Sequence, residues 1–180
     1  MTDERDAMLV AACLRGEVDA FDELVDRYQG PLFNVAYRIT GSIDDAMDVT
    51  QAAFVKAFEK LDTFNPKYRF FSWIYRIAIN QSLNLVDRRR EEPHPEVEPP
   101  ARHPNPEHDY RGIEAAEAVQ GGLMALPPHS RAVIVLRHIQ GLSYREIGEL
   151  LEIPEKTVKS RLFTARRQLR QILQERGVTP

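Results

Sequence analysis

Cysteine is nearly missing from this 180-residue chain, where Cys13 stands alone. One thiol closes no intrachain disulfide and leaves a thiolate metal cluster without its other ligands. Cys13 is read instead as a small core residue of the first helix. No apolar stretch approaches the roughly 18 to 20 residues that cross a bilayer, so no membrane insertion is expected. The opening MTDERDAMLV carries neither the cationic head nor the apolar body of a signal peptide, and a cytoplasmic location is expected. Glycine occurs nine times without forming a phosphate-cradling loop. Metal-ligand clusters and cysteine–histidine or serine–histidine pairs at catalytic spacing are also missing, so no enzyme, metal or cofactor is expected. What the chain does have is 43% hydrophobic and 28% charged residues, enough to bury real cores in one large or two small domains.

The net charge of −3 hides a strong alternation. Residues 1–62 carry −7, 63–90 carry +5, 91–128 carry −6 and 129–180 carry +5. Two basic blocks are thus separated by acidic ones. Residues 91–112, EEPHPEVEPPARHPNPEHDYRG, contain six of the twelve prolines and almost nothing apolar. Such a segment cannot pack a core and favours extended backbone, which makes it a linker. His94, His103 and His108 fall in it, without the thiolate or helical pairing a metal site would need.

Both flanking parts read as helical, and nothing alternates like a strand. A first helix runs from about Asp6 to Leu14. A second runs from Asp19 to Ile39 and stops at Gly41, with Pro31 expected to kink or split it. A third opens with Ser42 as N-cap and Asp45 three residues on, with Met47, Phe54, Ala57, Phe58 and Leu61 marking one face. A fourth spans roughly Phe70 to Arg88, with Phe71, Ile74, Ala78 and Leu85 clustered on the wheel.

SYREIGELLEIPEKTVKSRLFTARRQL, from Ser143 to Leu169, reads as a helix-turn-helix. Ser143 and Glu146 form a capping box, Ile147, Leu150 and Leu151 give an apolar face, and Pro154 opens a new helix. On that helix Val158, Leu162, Ala165 and Leu169 must face the core, which turns Lys156, Ser160, Phe163 and Arg167 outward. Thr157, Lys159, Arg161, Thr164 and Arg166 flank them. Cations for phosphates, Arg or Lys for guanine edges and a ring for a thymine methyl suit a major groove. A merely solvated helix face, with Phe163 packed on a neighbour, is the plainer alternative. Seven bases against one acid from Lys156 to Arg176 favour DNA.

LPPHSRAVIVLRHIQGLSYREIGELLEIPEKTVKSRLFTARRQL resembles domain 4 of the extracytoplasmic-function (ECF, group 4) sigma factors, sigma-70 family proteins of bacterial RNA polymerase. DDAMDVTQAAFVKAFEKLDTF followed by FFSWIYRIAINQSLN resembles domain 2 of the same family. The resemblance implies an all-α protein of two small domains: a sigma domain 2 helical bundle at residues 1–90 and a sigma domain 4 helix-turn-helix at 113–180. The flexible linker at 91–112 stands where larger sigma factors have a further domain. It implies minus-35 recognition by the second domain and minus-10 recognition and melting by the first. The implied partners are core RNA polymerase, through its beta-prime clamp helices and beta flap, promoter DNA in duplex and single-stranded form, and an anti-sigma factor.

KYRFFSWIYR, residues 67–76, packs five of the fifteen aromatics beside three cations. Melted strands are held by aromatic stacking next to backbone-tracking cations. The resemblance assigns minus-10 contacts to Tyr68, Arg69 and Phe70 in a loop before the fourth helix, and to Trp73, Arg76, Asn80 and Asn84 on it. Arg88, Arg89 and Arg90 are expected on phosphates. Helical spacing equally makes Phe71, Ile74 and Ile77, with part of Trp73, a buried face. Asp44, Asp45, Asp48, Gln51 and Phe54 fall on the segment that grips the polymerase clamp in this family. Ala52 departs from the pattern, which often has Glu there. The rival reading, a helix-turn-helix regulator independent of core polymerase, accounts for residues 113–180 but leaves the first half without a role.

Overall fold

The computed structural model describes residues 2–91 and 110–177, and within them the side chains of 4–90 and 116–177. The linker's residues 92–109, with its three histidines, lie outside the described residues. Eight α-helices account for the described fold, with no strand among the described residues. In chain order they are α1 (Thr2–Leu14), α2 (Asp19–Thr40), α3 (Ile43–Glu59), α4 (Phe70–Glu91), α5 (Tyr110–Met124), α6 (Pro128–Ile134), α7 (Tyr144–Leu151) and α8 (Glu155–Glu175). α5 begins at Tyr110, so residues 110–112, expected in the linker, belong to the helix. A π turn, Val135–Ile139, prolongs α6 toward the helix-turn-helix.

In the first half α2, α3 and α4 bury their apolar faces against one another, and α1 lies across α2. Asp6, 1% exposed, fastens α1 by accepting from the Arg27 guanidinium and the Tyr28 hydroxyl. Buried carboxylates persist where they are paired and hydrogen-bonded in this way. α2 runs through Pro31 as one helix, so the proline does not split it. Pro31 lies on the exposed side, where water can serve the carbonyl it leaves unpaired, and Gly30 before it has no Cβ to clash with the ring. Gly41, in the left-handed region at φ 80°, closes the helix with its N–H on the Tyr37 carbonyl at 2.8 Å.

Ser42 caps α3 as expected, its hydroxyl accepting from the Asp45 N–H at 3.3 Å. Phe54, Ala57 and Leu61 are buried as expected, but Met47 and Phe58 are exposed; Ala46, Val49 and Ala53 complete the buried face, and the two alanines let the neighbouring helices come close. Phe58 covers the edge of Phe21 from outside, with ring centroids 5.0 Å apart.

In the second half the Ser143–Glu146 capping box forms in both directions, at 3.2 and 2.8 Å. Glu152 (φ 54°) turns the chain out of α7. Gly148 is required by the turn itself: a Cβ there would stand 2.8 Å from the Ile153 carbonyl oxygen. Val158, Leu162 and Ala165 are buried on α8, and Leu169 is half-buried.

The halves pack against each other, and their buried apolar residues form one cluster from Val10 to Ala165. Arg131, 3% exposed, is the deepest link. Its guanidinium donates to the carbonyls of Leu123, Met124 and Leu126 and, across the halves, to that of Ile39 at the end of α2. Burial, and then the charge of Arg90, pushes its pKa down to about 10, which leaves it cationic at neutral pH.

Candidate nucleic-acid interface

The exposed face of α8 is built by elimination. Three buried side chains at helical spacing fix its rotation, and every residue between them is turned away from the core. Phe163 is 70% exposed, with no neighbour to cover it. Lys156, Lys159, Ser160, Thr164, Arg166 and Arg167 share the exposed surface, with Thr157 and Arg161 at its edges. Lys159 is drawn to Glu155 on its own helix at 2.7 Å. Arg166 is held outside the helix by His138, its Nε–H donating to the imidazole Nε2 at 3.0 Å. Burial, followed by the charges of Arg166 and Arg137, pushes the His138 pKa down and favours the neutral ring that this bond needs. Nothing in the sequence pattern marks His138 for that role.

The aromatic cluster of residues 67–76 is mostly core. Phe70 is 2% exposed and Tyr75 wholly buried. Phe64, Phe70 and Trp73 meet edge-on or tilted with centroids 5.4 to 5.7 Å apart, and Tyr28 meets Phe70 at 5.7 Å. α4 begins at Phe70, as the helical spacing predicts, and the ring is spent on packing, which corrects its assignment as a loop contact to the strand. Trp73 is half-buried against the core. Tyr68 points outward, 67% exposed. Below it a recess of about 180 Å³ is lined by Phe64, Pro66, Lys67, Tyr68, Arg69 and Phe70, with Ala7 of α1 completing the wall.

Along α4, Asn80 and Asn84 are exposed on the same side as Arg76, at i, i+4 and i+8. Arg69 and Arg76 both reach the second half: Arg69 stands 3.6 Å from Glu146, and Arg76 donates to the Glu149 carbonyl at 2.9 Å. Arg88 and Arg90 are exposed at the end of α4. Arg89 is not available to phosphate in the same way, because it is paired with Asp45.

On α3 the expected clamp residues divide. Asp44, Asp48 and Gln51 are exposed, and Asp48, Gln51 and Ala52 line an open groove of about 450 Å³ that runs on past Val55 to Lys60. Asp45 and Phe54, at 7% and 8% exposed, face inward and correct that part of the expectation. The physical reason is rotation: both lie on the stripe of Ala46, Val49 and Ala53. Among the described residues no group of acidic, histidine or cysteine side chains could hold a metal ion. No helix among the described residues is long and apolar enough to cross a membrane.

These surfaces coincide with segments that match known families. Residues 24–92 match the family model Sigma-70 region 2, and residues 116–169 match Sigma-70, region 4. The chain is 32% identical over 173 residues to the ECF RNA polymerase sigma factor SigW of Bacillus subtilis (strain 168), across 89% of this chain and 92% of that protein. It is 36% identical over 186 residues to the RNA polymerase sigma-H factor of Pseudomonas aeruginosa, across 97% and 96%. Among solved structures it is similar to CnrH in complex with the cytosolic domain of CnrY, with a TM-score of 0.73, 30% identity and coverage of 95% and 98%. With both regions present in order and relatives matched along almost their whole length, the chain belongs to the ECF sigma factors of the sigma-70 family.

Proposed function

We propose that this ECF sigma factor binds core RNA polymerase and directs promoter-specific transcription initiation. In this reading α8 enters the minus-35 major groove, with Phe163 against a base edge, Lys156 and Arg167 beside it, and the flanking cations on phosphates. The minus-10 strand lies over Tyr68, Arg69, Arg76, Asn80 and Asn84, with Arg88 and Arg90 along its backbone. A flipped base fits the recess beside Tyr68, where hydrogen bonds offset the cost of unstacking, a few kcal/mol. Asp44, Asp48 and Gln51 engage the polymerase clamp through the groove on α3, and the second half meets the beta flap. The chain performs no catalysis of its own; it positions the enzyme that does, in the cytoplasm.

One observation carries the reading: a folded helix-turn-helix whose outward face is cationic and aromatic, in the same chain as a second exposed basic surface on α4. Two weak readers held by one polymerase raise each other's effective concentration, so neither need bind tightly alone. An anti-sigma factor belongs to the same proposal, and the similar CnrH was solved in complex with a second protein, the cytosolic domain of CnrY. The test is reconstitution with core RNA polymerase on a promoter library. Promoter-dependent transcripts are expected. Duplex binding without transcripts would identify a stand-alone regulator instead, and absence of polymerase binding would overturn the reading outright.

A further inference from the structure

Two cations on the outward face of α8 are held in unlike ways. Lys159 is paired with an acid of its own helix, Glu155, at 2.7 Å, which offsets part of its charge. Arg166 is held by a neutral group: its Nε–H donates to Nε2 of His138 at 3.0 Å, and among the described residues nothing else pairs with that guanidinium. The bond takes up the stem side of the fork. Both terminal amino groups, the pair that can grip a phosphate bidentately, are left for a ligand.

The backbone ahead of α7 is shaped to deliver this ring. In an uninterrupted α-helix residue 138 would lie over Ile134 and Val135, one turn back, and both are buried. The π turn Val135–Ile139 closes instead through the Gln140 N–H, which donates to the Val135 carbonyl at 3.1 Å. Its wider turn leaves His138 exposed beside α8. Such turns recur at functional sites. The bond to Arg166 needs a lone pair on Nε2, and so a neutral ring with its proton on Nδ1. Burial, then the charges of Arg166 on α8 and Arg137 in the same turn, lower the His138 pKa and keep the ring in that form.

We propose that His138 is a positioning residue of the minus-35 reader: it holds the Arg166 guanidinium so that the two free amino groups meet a backbone phosphate of the duplex. This rests on the assignment of α8 to the minus-35 groove. An exposed arginine loses rotamer freedom when it binds, and one that is already fixed loses less. A neutral holder achieves this without weakening the attraction to phosphate, whereas an acid such as Glu155 would oppose it. The gain is the same for every sequence, because a phosphate carries no base identity.

The experiment measures fluorescence anisotropy of a labelled duplex pool with the full-length chain, alone and bound to core polymerase, at pH 8 and several salt concentrations. The variants are His138→Ala, His138→Gln, Arg166→Ala and the double alanine variant, each checked for folding by circular dichroism. His138→Ala should weaken duplex binding on the order of threefold to tenfold with an unchanged salt slope, because no cation is removed. Arg166→Ala should weaken binding and lower the salt slope by about one ion. On top of Arg166→Ala, the loss of His138 should add nothing. His138→Gln, whose amide oxygen can accept in place of Nε2, should restore the native affinity. Native-like binding by His138→Ala, a lowered salt slope in that variant, a further loss in the double variant or no recovery with glutamine overturns the proposal. Failure of the native protein to bind duplex in either setting would overturn the minus-35 reading itself, and this inference with it.

Discussion

The guanidinium of Arg89 grips both carboxylate oxygens of Asp45, one amino group donating to Oδ1 at 2.7 Å and the other to Oδ2. The pair joins the N-terminus of α3 to the C-terminal turn of α4, so each charge lies at the helix end whose dipole favours it. Asp45 is almost fully buried, and without Arg89 its charge would be left inside uncompensated. Arg89→Ala should therefore cost about 2 kcal/mol of stability, reduced from the full buried-pair penalty because the arginine is half-exposed. Arg88→Ala next to it should cost almost nothing. Urea denaturation of both variants checks this, and equal losses would mean that the pair carries no special weight.

The capping box of α7 gives a pH-dependent prediction. Glu146 has its pKa lowered from 4.5, first by the bonds with Ser143 and also by Arg69 and Arg145, with burial opposing. A carboxyl with a depressed folded pKa contributes stability that is fully present above its unfolded value and is lost as pH falls through the folded one. The stability difference between the native protein and Glu146→Gln should thus be constant above about pH 5 and shrink toward pH 3. Ser143→Ala should cost about 1 kcal/mol at pH 7. Chemical denaturation series across that pH range read both effects.

Arg131 is the third test. Its fork of donors serves four carbonyl groups at once, two in the last turn of α5, one just after it and one near the end of α2. Arg131→Met fills similar space but strands those oxygens, at a cost of about 3 to 5 kcal/mol. Arg131→Lys should recover little, since one ammonium cannot reproduce the planar fork. Thermal melts of the two variants should fall together. A lysine variant as stable as the native protein would show that charge alone suffices.

Local signals in the sequence were enough for much of this architecture. The Ser42 cap, the Ser143–Glu146 box and the end at Gly41 depend on residues within four positions of one another, and each forms as expected. The rotation of α8 was equally readable, because a 3.6-residue period leaves one choice of buried face. Readings that depend on distant partners fared differently. Asp45 looked like a surface carboxylate until Arg89, 44 positions later, closed on it. Phe70 looked available for stacking because its neighbours Tyr28 and Phe64 come from other segments. The same limit hides the packing of α7 on α4: no pattern within either helix encodes it. The junction at Arg131 is of the same kind, since its carbonyl acceptors lie on α2, at the end of α5 and just beyond it.

Asn80 tests the minus-10 assignment on an exposed residue of α4. It is exposed on α4 between Arg76 and Asn84, and an amide can pair with a base edge in both directions. Asn80→Ala should leave stability and polymerase binding as they are and change the preferred base in the minus-10 element. Promoter selection from a randomised library measures this directly. An identical consensus from the variant and native proteins would remove Asn80 from the strand path.

α8 allows the sharpest separation of reading from folding, because adjacent residues serve opposite purposes. Leu162 is 1% exposed and Phe163 70% exposed. Leu162→Ala should cost about 2 to 5 kcal/mol of stability and abolish every activity together. Phe163→Ala should keep the fold and lose discrimination at one minus-35 position. Arg167→Ala and Lys156→Ala should weaken minus-35 binding while polymerase binding stays intact, by about 1 to 3 kcal/mol for a side chain on a base edge. A side chain that meets only phosphate would instead weaken all sequences alike and reduce the salt dependence by roughly one ion. Binding isotherms on matched and mismatched duplexes at several salt concentrations distinguish these roles residue by residue. Loss of polymerase binding in Arg167→Ala or Lys156→Ala would mean that this face of α8 contacts the enzyme rather than the DNA.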